Sequence, residues 1–290
     1  MLSINAMRTF HKAALTVLPL LALAGCGALQ NDIDVALPTY SSELVVECYL
    51  EPGKLPSLAV TTSVPYLGVV LPQVPTDVTV TLTMPNGTLV PLAFSPNYRA
   101  LVDTTGEKFH SHIGRDPLVA RPGDVFKLDV RDTKGRQVTG TTTMMVPIPI
   151  DSVEYKFNDK TGPERKAYFL TNFRDPATPD DYYRLQLHKG DPAKGALLRT
   201  PESDISIQDR LLNGQALVVG TSYRFFAGDT VTATLYHTDA AYFRFRQSVR
   251  DARGANGNPF GQPSAIFSNV QGGIGIFTVL SGTRAMKILR

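Results

Sequence analysis

The run Asp77-Val78-Thr79-Val80-Thr81-Leu82-Thr83 alternates at period two between apolar and hydroxyl side chains, then meets Pro85-Asn86-Gly87 before a second apolar arm ending at Leu92. Alternation at that period places one set of side chains on each face of an extended strand. The Asn-Gly pair supplies a tight turn between two such arms, so the stretch predicts a β-hairpin. Asp124 to Met144 repeats the arrangement around Asp132-Thr133-Lys134-Gly135 and predicts a second hairpin. "ELVVECYL" (Glu43 to Leu50) and "SLAVTTSVPY" (Ser57 to Tyr66) are further strand-like runs. With 21 Pro and 23 Gly spread along the chain rather than clustered, many short elements are separated by turns. Some five to seven strands fit between Tyr40 and Pro147, which predicts a β-sandwich of immunoglobulin or transthyretin type. Strand number alone leaves those two topologies open.

"VPIPIDSVEY" (Val146 to Tyr155) reads as a linker entering a new strand, because Pro147 and Pro149 interrupt ladder pairing and favour extended backbone. It marks a boundary between residues 40–147 and residues 148–290. Beyond it "KAYFLTNF", "DYYRLQLHK" and "DTVTATLYHT" are again strand-like. One helix interrupts them near residues 239–252: Thr238 or Asp239 caps it, Tyr242, Phe245 and Val249 form an apolar face, and Arg244 and Arg250 lie on others. Gly254, Gly257 and Pro259 end it, and residues 256–263 read as a loop. The helix is expected to pack its aromatic side chains over a sheet rather than to present a ligand surface. Final strands follow around the bend at Gly272-Gly273, where glycine permits positive φ or close backbone approach. Pro122-Gly123-Asp124 and Ala227-Gly228-Asp229 each read as a turn feeding a strand. The expected fold is mainly all-β, with two β-sandwich-like domains, the second carrying one inserted helix.

The amino-terminal stretch has another character. Arg8 and Lys12 precede an uncharged, mostly apolar run from Ala13 to Ala24. Roughly a dozen residues suit a secretory signal and fall short of the ~20 needed to span a bilayer. Within it, Leu23-Ala24-Gly25-Cys26 resembles a bacterial lipobox, in which small residues precede the cleaved bond and the cysteine that follows is acylated. Residues 1–25 are therefore expected to be a lipoprotein signal peptide and 26–39 a lipidated tether. Removing Arg8 and Lys12 with the signal leaves +1 of the formal charge of +3, too little basic excess for nucleic-acid binding. Cys48, the other of two cysteines, would be left without a disulfide partner and lies in a strand-like run, where a thiol behaves as a small hydrophobe.

Motifs for catalysis are sparse. His110-Ser111-His112 places two imidazoles at i and i+2, which on a strand would share one face and supply two metal ligands with Asp103, Glu107 or Asp116 as a third, but the stretch reads as turn-rich. No HExxH or Cys/His spacing accompanies them, so they are weak candidates. Asp180-Asp181, before "YYRL", reads as a pair of loop carboxylates at a strand entrance. GxSxG, P-loop and dinucleotide fingerprints are absent from the sequence. The expectation is a protein that is not an enzyme and needs no cofactor.

Taken in order, "LVVECYLEPG", "ARPGDVFKLDV", "VPIPIDSVEY", "DDYYRLQL", "LLNGQ", "FFAGDTVTATLYHTDAAYFRF" and "NPFGQPSAIFSNVQGGIGIF" behind a lipobox cysteine resemble a family of Bacteroidota cell-envelope lipoproteins, the domain of unknown function 4249. Cys48 stands where a small residue such as glycine is expected. The resemblance implies two β-rich domains, an outer-membrane location, frequent association with TonB-dependent receptors, and no established activity. Asp32 and Asp34 in the spacer are similar to signals that send lipoproteins of that phylum to the cell surface, and favour surface display over a periplasmic orientation. The function expected is a lipid-anchored binding or accessory component of TonB-dependent nutrient uptake, held to the membrane by its amino-terminal lipid and taking a small-molecule or polymer ligand. A structural or adhesive surface module is the alternative, and a hydrolase of surface glycans or peptides, motivated by His110, His112 and scattered carboxylates, is a third.

Overall fold

The computed structural model describes residues 40–65, 73–95, 110–177, 180–190, 201–210, 213–255 and 265–290. The expected signal peptide and tether, with Leu23, Ala24, Gly25, Cys26, Asp32 and Asp34, lie outside the described residues, as do Asp103, Glu107 and the loop at 256–263. In chain order the first strands are β1 (Leu44–Leu50), β2 (Ser57–Thr62), β3 (Val78–Thr83), β4 (Leu89–Phe94), β5 (His112–Ile113), β6 (Val125–Asp132) and β7 (Gln137–Thr143). Next come β8 (Ile150–Phe157), β9 (Ala167–Arg174), β10 (Tyr182–Lys189), β11 (Ser203–Gln208), β12 (Ala216–Gly220) and β13 (Thr230–Thr238). The helix α1 (Ala240–Ala255) and the strands β14 (Ile274–Val279) and β15 (Ser281–Ile288) complete the chain. The fold is mostly β, as its alternating runs predict.

Both predicted hairpins are present. β3 and β4 pair antiparallel across a turn in which the Met84 amide donates to Thr88 O at 2.8 Å and Asn86 Oδ1 accepts from the Thr88 amide. In the β6–β7 turn, Asp132 Oδ1 accepts from the amides of Lys134 and Arg136, replacing bonds that the turning backbone cannot make to itself.

The first sheet has eight strands in the order β14-β1-β2-β5-β4-β3-β6-β7. Thr139 in β7 and Gln271 just before β14 exchange amide-to-carbonyl bonds at 3.0 and 2.8 Å, so the sheet curls until its two edge strands meet. Closure of this kind removes exposed strand edges. Leu44, Val46, Cys48 and Leu50, the inward set of β1, are fully buried with Val80, Leu82, Phe126, Leu128, Val130 and Phe277. The closing strand β14 runs parallel to β1, with Val45 opposite Ile274 and Leu50 opposite Val279. This first module is thus not built from residues 40–147 alone, because residues 274–279 complete it. Period-two alternation reveals a strand without naming its partner, which is why the linear boundary does not foretell this return.

The second module packs the sheet β11-β10-β13-β15 against the sheet β12-β9-β8. Phe169 and Phe173 from β9 meet Tyr183, Leu185 and Leu187 from β10 and Val231, Ala233 and Leu235 from β13 in one apolar core. The helix falls where its periodicity predicts: Asp239 Oδ1 accepts the Tyr242 amide at 2.6 Å and caps it. Tyr242 and Phe245 on its inward face pack with Tyr236, Ile276 and Leu280, and with Tyr49 and Val249 at the margin. From β13 the chain passes through α1 into the first sheet as β14, then returns through the single residue Leu280 to the second sheet as β15.

The two Gly-Asp turns are the same device used twice. Asp124 Oδ2 accepts the Arg121 amide at 2.7 Å and Asp229 Oδ2 accepts the Phe226 amide at 2.8 Å. The glycine amides reach Met144 O, past the end of β7, and Leu289 O, past the end of β15. Each turn thus pins the start of a strand to the end of its neighbour.

Cys48 behaves as the small hydrophobe that its place in β1 predicts. It is fully buried, and burial pushes its thiol well above the ordinary cysteine range. In a chain carrying Cys26→Ser, where Cys48 is the sole thiol, a thiol-specific reagent is expected to leave the folded protein unmodified and to label one thiol per chain in urea. Rapid native labelling would contradict this burial.

Candidate functional site

At one rim of the second module three strand ends bring carboxylates together. Tyr182 pairs with Gln208 across β10 and β11, so Asp181 before β10 and Asp209 after β11 stand side by side. Ala216 pairs with Arg174 across β12 and β9, which places Asp175 beside the loop 213–215; the Asp175 amide donates to Gln215 O at 2.9 Å. Tyr183 pairs with His237 across β10 and β13, bringing the imidazole beneath the cluster. One oxygen from each of Asp175, Asp181 and Asp209 lies within 4.8 Å of the others. All three are buried, at 2%, 6% and 0% exposure.

The surrounding groups hold these side chains in place. Asp175 accepts the Tyr183 hydroxyl on Oδ1 and the Gly214 amide on Oδ2 at 2.8 Å. Asp209 Oδ1 accepts the Asp181 amide at 3.0 Å, and the Asp209 amide donates to Asp181 O at 3.2 Å. Asp209 Oδ2 is sealed from solvent and has no hydrogen-bond partner. His237 Nδ1 faces Val146 O at 2.7 Å and Nε2 faces Asp181 Oδ1 at 3.0 Å, with Tyr183 stacked on its ring. A carbonyl only accepts, so Nδ1 carries hydrogen, and the ring is held between Val146 O and Asp181 Oδ1. The carboxyl of Asp209 is held above the usual carboxylate range, first by burial and then by the charges of Asp175 and Asp181. A close group of buried carboxylates can hold a proton or bind a cation.

Asp181 does precede a strand, as read from the sequence, but as a buried member of this group and not as a solvated loop carboxylate. Neighbouring Asp180 takes φ of 63°. Asp175, Asp209 and His237 carry no local motif; the one signal in the sequence is that Asp175, Asp181 and Asp209 each flank a strand-like run.

The histidine candidates sit elsewhere. His112 lies in β5, buried, with Nδ1 3.0 Å from Ser111 Oγ, Nε2 3.4 Å from Val78 O, and the Phe94 ring against it edge-on. Both ring nitrogens are engaged, and burial pushes the pKa down. His110 is half-buried and Asp116 exposed; neither belongs to a group of three ligands among the described residues. His112 is a satisfied core histidine.

A second polar group, anchored by the buried Arg184 and Tyr242, joins β10, β11 and α1. Arg184 forks Asp204 through Nε and Nη2 at 2.9 and 2.7 Å, and donates Nη1 to the Tyr242 hydroxyl at 2.5 Å. Arg246 Nη2 reaches the other side of Asp204 at 2.9 Å. Burial pushes the Asp204 carboxyl up, but the hydrogen bond and charge of Arg184 and the charge of Arg246 outweigh it and hold it below the usual range. These contacts lock α1 to the second module.

Against known proteins, the model of the family described as Domain of unknown function (DUF4249) matches residues 30–285. No curated protein matches the sequence. Among solved structures, a point mutant of Salmonella alpha-2-macroglobulin is 11% identical with a TM-score of 0.26, over 88% of this chain and 15% of that one. The methylamine-reacted form of Salmonella alpha-2-macroglobulin is 10% identical with a TM-score of 0.25, over 90% and 15%. The chain thus spans about 15% of the length of the structures it resembles.

Proposed function

The chain belongs to the DUF4249 family, and from that premise we propose that it is a lipid-anchored outer-membrane protein, displayed at the cell surface, that serves TonB-dependent nutrient uptake as a non-catalytic binding or accessory component. Leu23-Ala24-Gly25-Cys26 carries this reading: a short apolar run leads to small residues and a cysteine, and a spacer follows before β1. One acyl chain holds a protein only marginally, while two or more hold it firmly at about 0.8 kcal/mol per buried methylene. The near-neutral mature charge adds little electrostatic attraction to anionic lipid, so the acyl chains carry the attachment. Behind the tether lie β-built modules with buried cores, the kind of rigid scaffold whose connecting segments commonly carry binding residues.

Two measurements test this. Cys26→Ser is expected to move the protein from the membrane fraction to the soluble fraction, and a fatty-acid label is expected on the parent chain and not on the variant. Mild detergent extraction of the parent is expected to enrich an outer-membrane β-barrel with it. An unlabelled parent chain, or a variant that stays with the membrane, would refute the anchor. Labelled protein repeatedly recovered without any barrel would refute the uptake role alone.

A further inference from the structure

We propose that Asp175, Asp181 and Asp209 form a binding site for one divalent cation of the hard, oxygen-preferring class, Ca²⁺ before others. Two observations point there independently of any membrane anchor. Strand pairing delivers three buried carboxylates to one point, each with an oxygen within 4.8 Å of the others. Oxygens gathered that closely are within reach of one shared cation, and Ca²⁺, with bonds of about 2.4 Å and a flexible coordination shell, tolerates such a set better than Mg²⁺, which demands shorter bonds of about 2.1 Å and a near-ideal octahedron. In addition, Asp209 Oδ2 is fully buried and has no donor. A carboxylate oxygen cut off from both water and donors is costly, and a cation is the partner that removes the cost.

No lysine or arginine forms an ion pair with Asp175 or Asp209 among the described residues, so no basic side chain is paired with these two carboxylates. Donor chemistry narrows the class: the ligands are carboxylates, and both nitrogens of the nearby imidazole are engaged, so the thiolate and imidazole set that suits Zn²⁺ is missing. The bonds from Tyr183 and Gly214 leave a lone pair on each oxygen of Asp175. Because the ligands come from residues flanking β9, β10 and β11, the ion would fasten three strand ends at the rim of the module.

The test uses the full-length protein in detergent, stripped with EDTA and titrated with CaCl₂. The thermal midpoint is expected to rise by roughly 5–10 °C when calcium reaches about a hundred times its Kd. Tb³⁺ is expected to bind in competition with Ca²⁺ and to emit when tyrosine is excited, since the chain has no tryptophan and Tyr183 touches Asp175. Asp209→Asn, which keeps the shape and removes one charge, is expected to fold in EDTA at least as stably as the parent and to lose the calcium shift. Asp116→Asn, at an exposed carboxylate, should retain it. No shift in the parent chain with Ca²⁺, Mg²⁺ or Tb³⁺ would overturn the proposal and leave the cluster to hold its charge with protons. An equal shift in the Asp209→Asn chain would overturn it as well.

Discussion

Replacing Gly275 by alanine leaves the chain unable to close its first sheet, with an expected loss of at least about 4 kcal/mol and little folded protein recovered. Gly275 sits in β14 at φ of 140°, a region open in practice only to glycine, where forcing another residue costs about 1–3 kcal/mol from the backbone alone. Sterics add to this: a Cβ there would be driven into the carbonyl of Val46, its register partner in β1, well inside van der Waals contact. The strand cannot shift to relieve the overlap, because Ile276 and Phe277 are anchored in different cores. Gly254→Ala is the matched control. That glycine lies in α1 with nothing within 4 Å of the added methyl, so the same change is expected to be neutral or to stabilise by up to about 1 kcal/mol. Near-ultraviolet circular dichroism and urea midpoints distinguish the two. A Gly275→Ala chain that unfolds at the parental midpoint would contradict the close approach of β14 to β1.

Asp204→Ala is expected to destabilise by about 1–2 kcal/mol, less than the loss of a fully buried ion pair, because Asp204 is solvent-exposed and only its partner Arg184 is buried. The cost comes from what stays behind. Arg184 is only 8% exposed and would hold an unpaired guanidinium against Tyr242. Arg184→Met removes the charge along with its partner's burden and is expected to cost less, since an apolar side chain of similar length tolerates the site. Acid reports on the same pair. The folded Asp204 carboxyl titrates below its unfolded value, so its contribution is complete above about pH 4 and is lost as pH falls through the depressed folded value. Asp204→Asn is expected to flatten that acid limb of the stability curve. An unchanged limb would place the acid sensitivity elsewhere.

Much of the fold is legible in local sequence. Val78 to Thr83 and Asp124 to Met144 alternate cleanly, and their turns carry the Asn-Gly and Asp-x-x-Gly residues that tight reversals need. The helix is readable to within a few residues because Asp239 caps it and Tyr242, Phe245 and Val249 share one face. What local pattern does not carry is pairing. β14 reads as a strand near the end of the chain, yet nothing in its composition says that it returns to lie parallel to β1.

The carboxylate group was hidden for the same reason. Asp175, Asp181, Asp209 and His237 are spaced too widely and irregularly to form a motif, and only the registers of β9, β10, β11, β12 and β13 bring them together. His110-Ser111-His112 shows the converse. Two histidines close in sequence look like ligands, but the packing of β5 against Val78 and Phe94 turns one of them into ordinary core.

The return of β14 sets a condition on how this molecule is made. Until residue 279 has left the ribosome, β1 has one flank bare and the Phe277 position in the core is empty, however long the preceding strands have been available. Every strand from β2 to β13 must therefore be made before β1 is secured on both sides. Such distant pairing slows folding and prolongs exposure of a sticky edge, so carriers that keep the unfinished chain apart from its neighbours matter more here than for two beads folding one after the other.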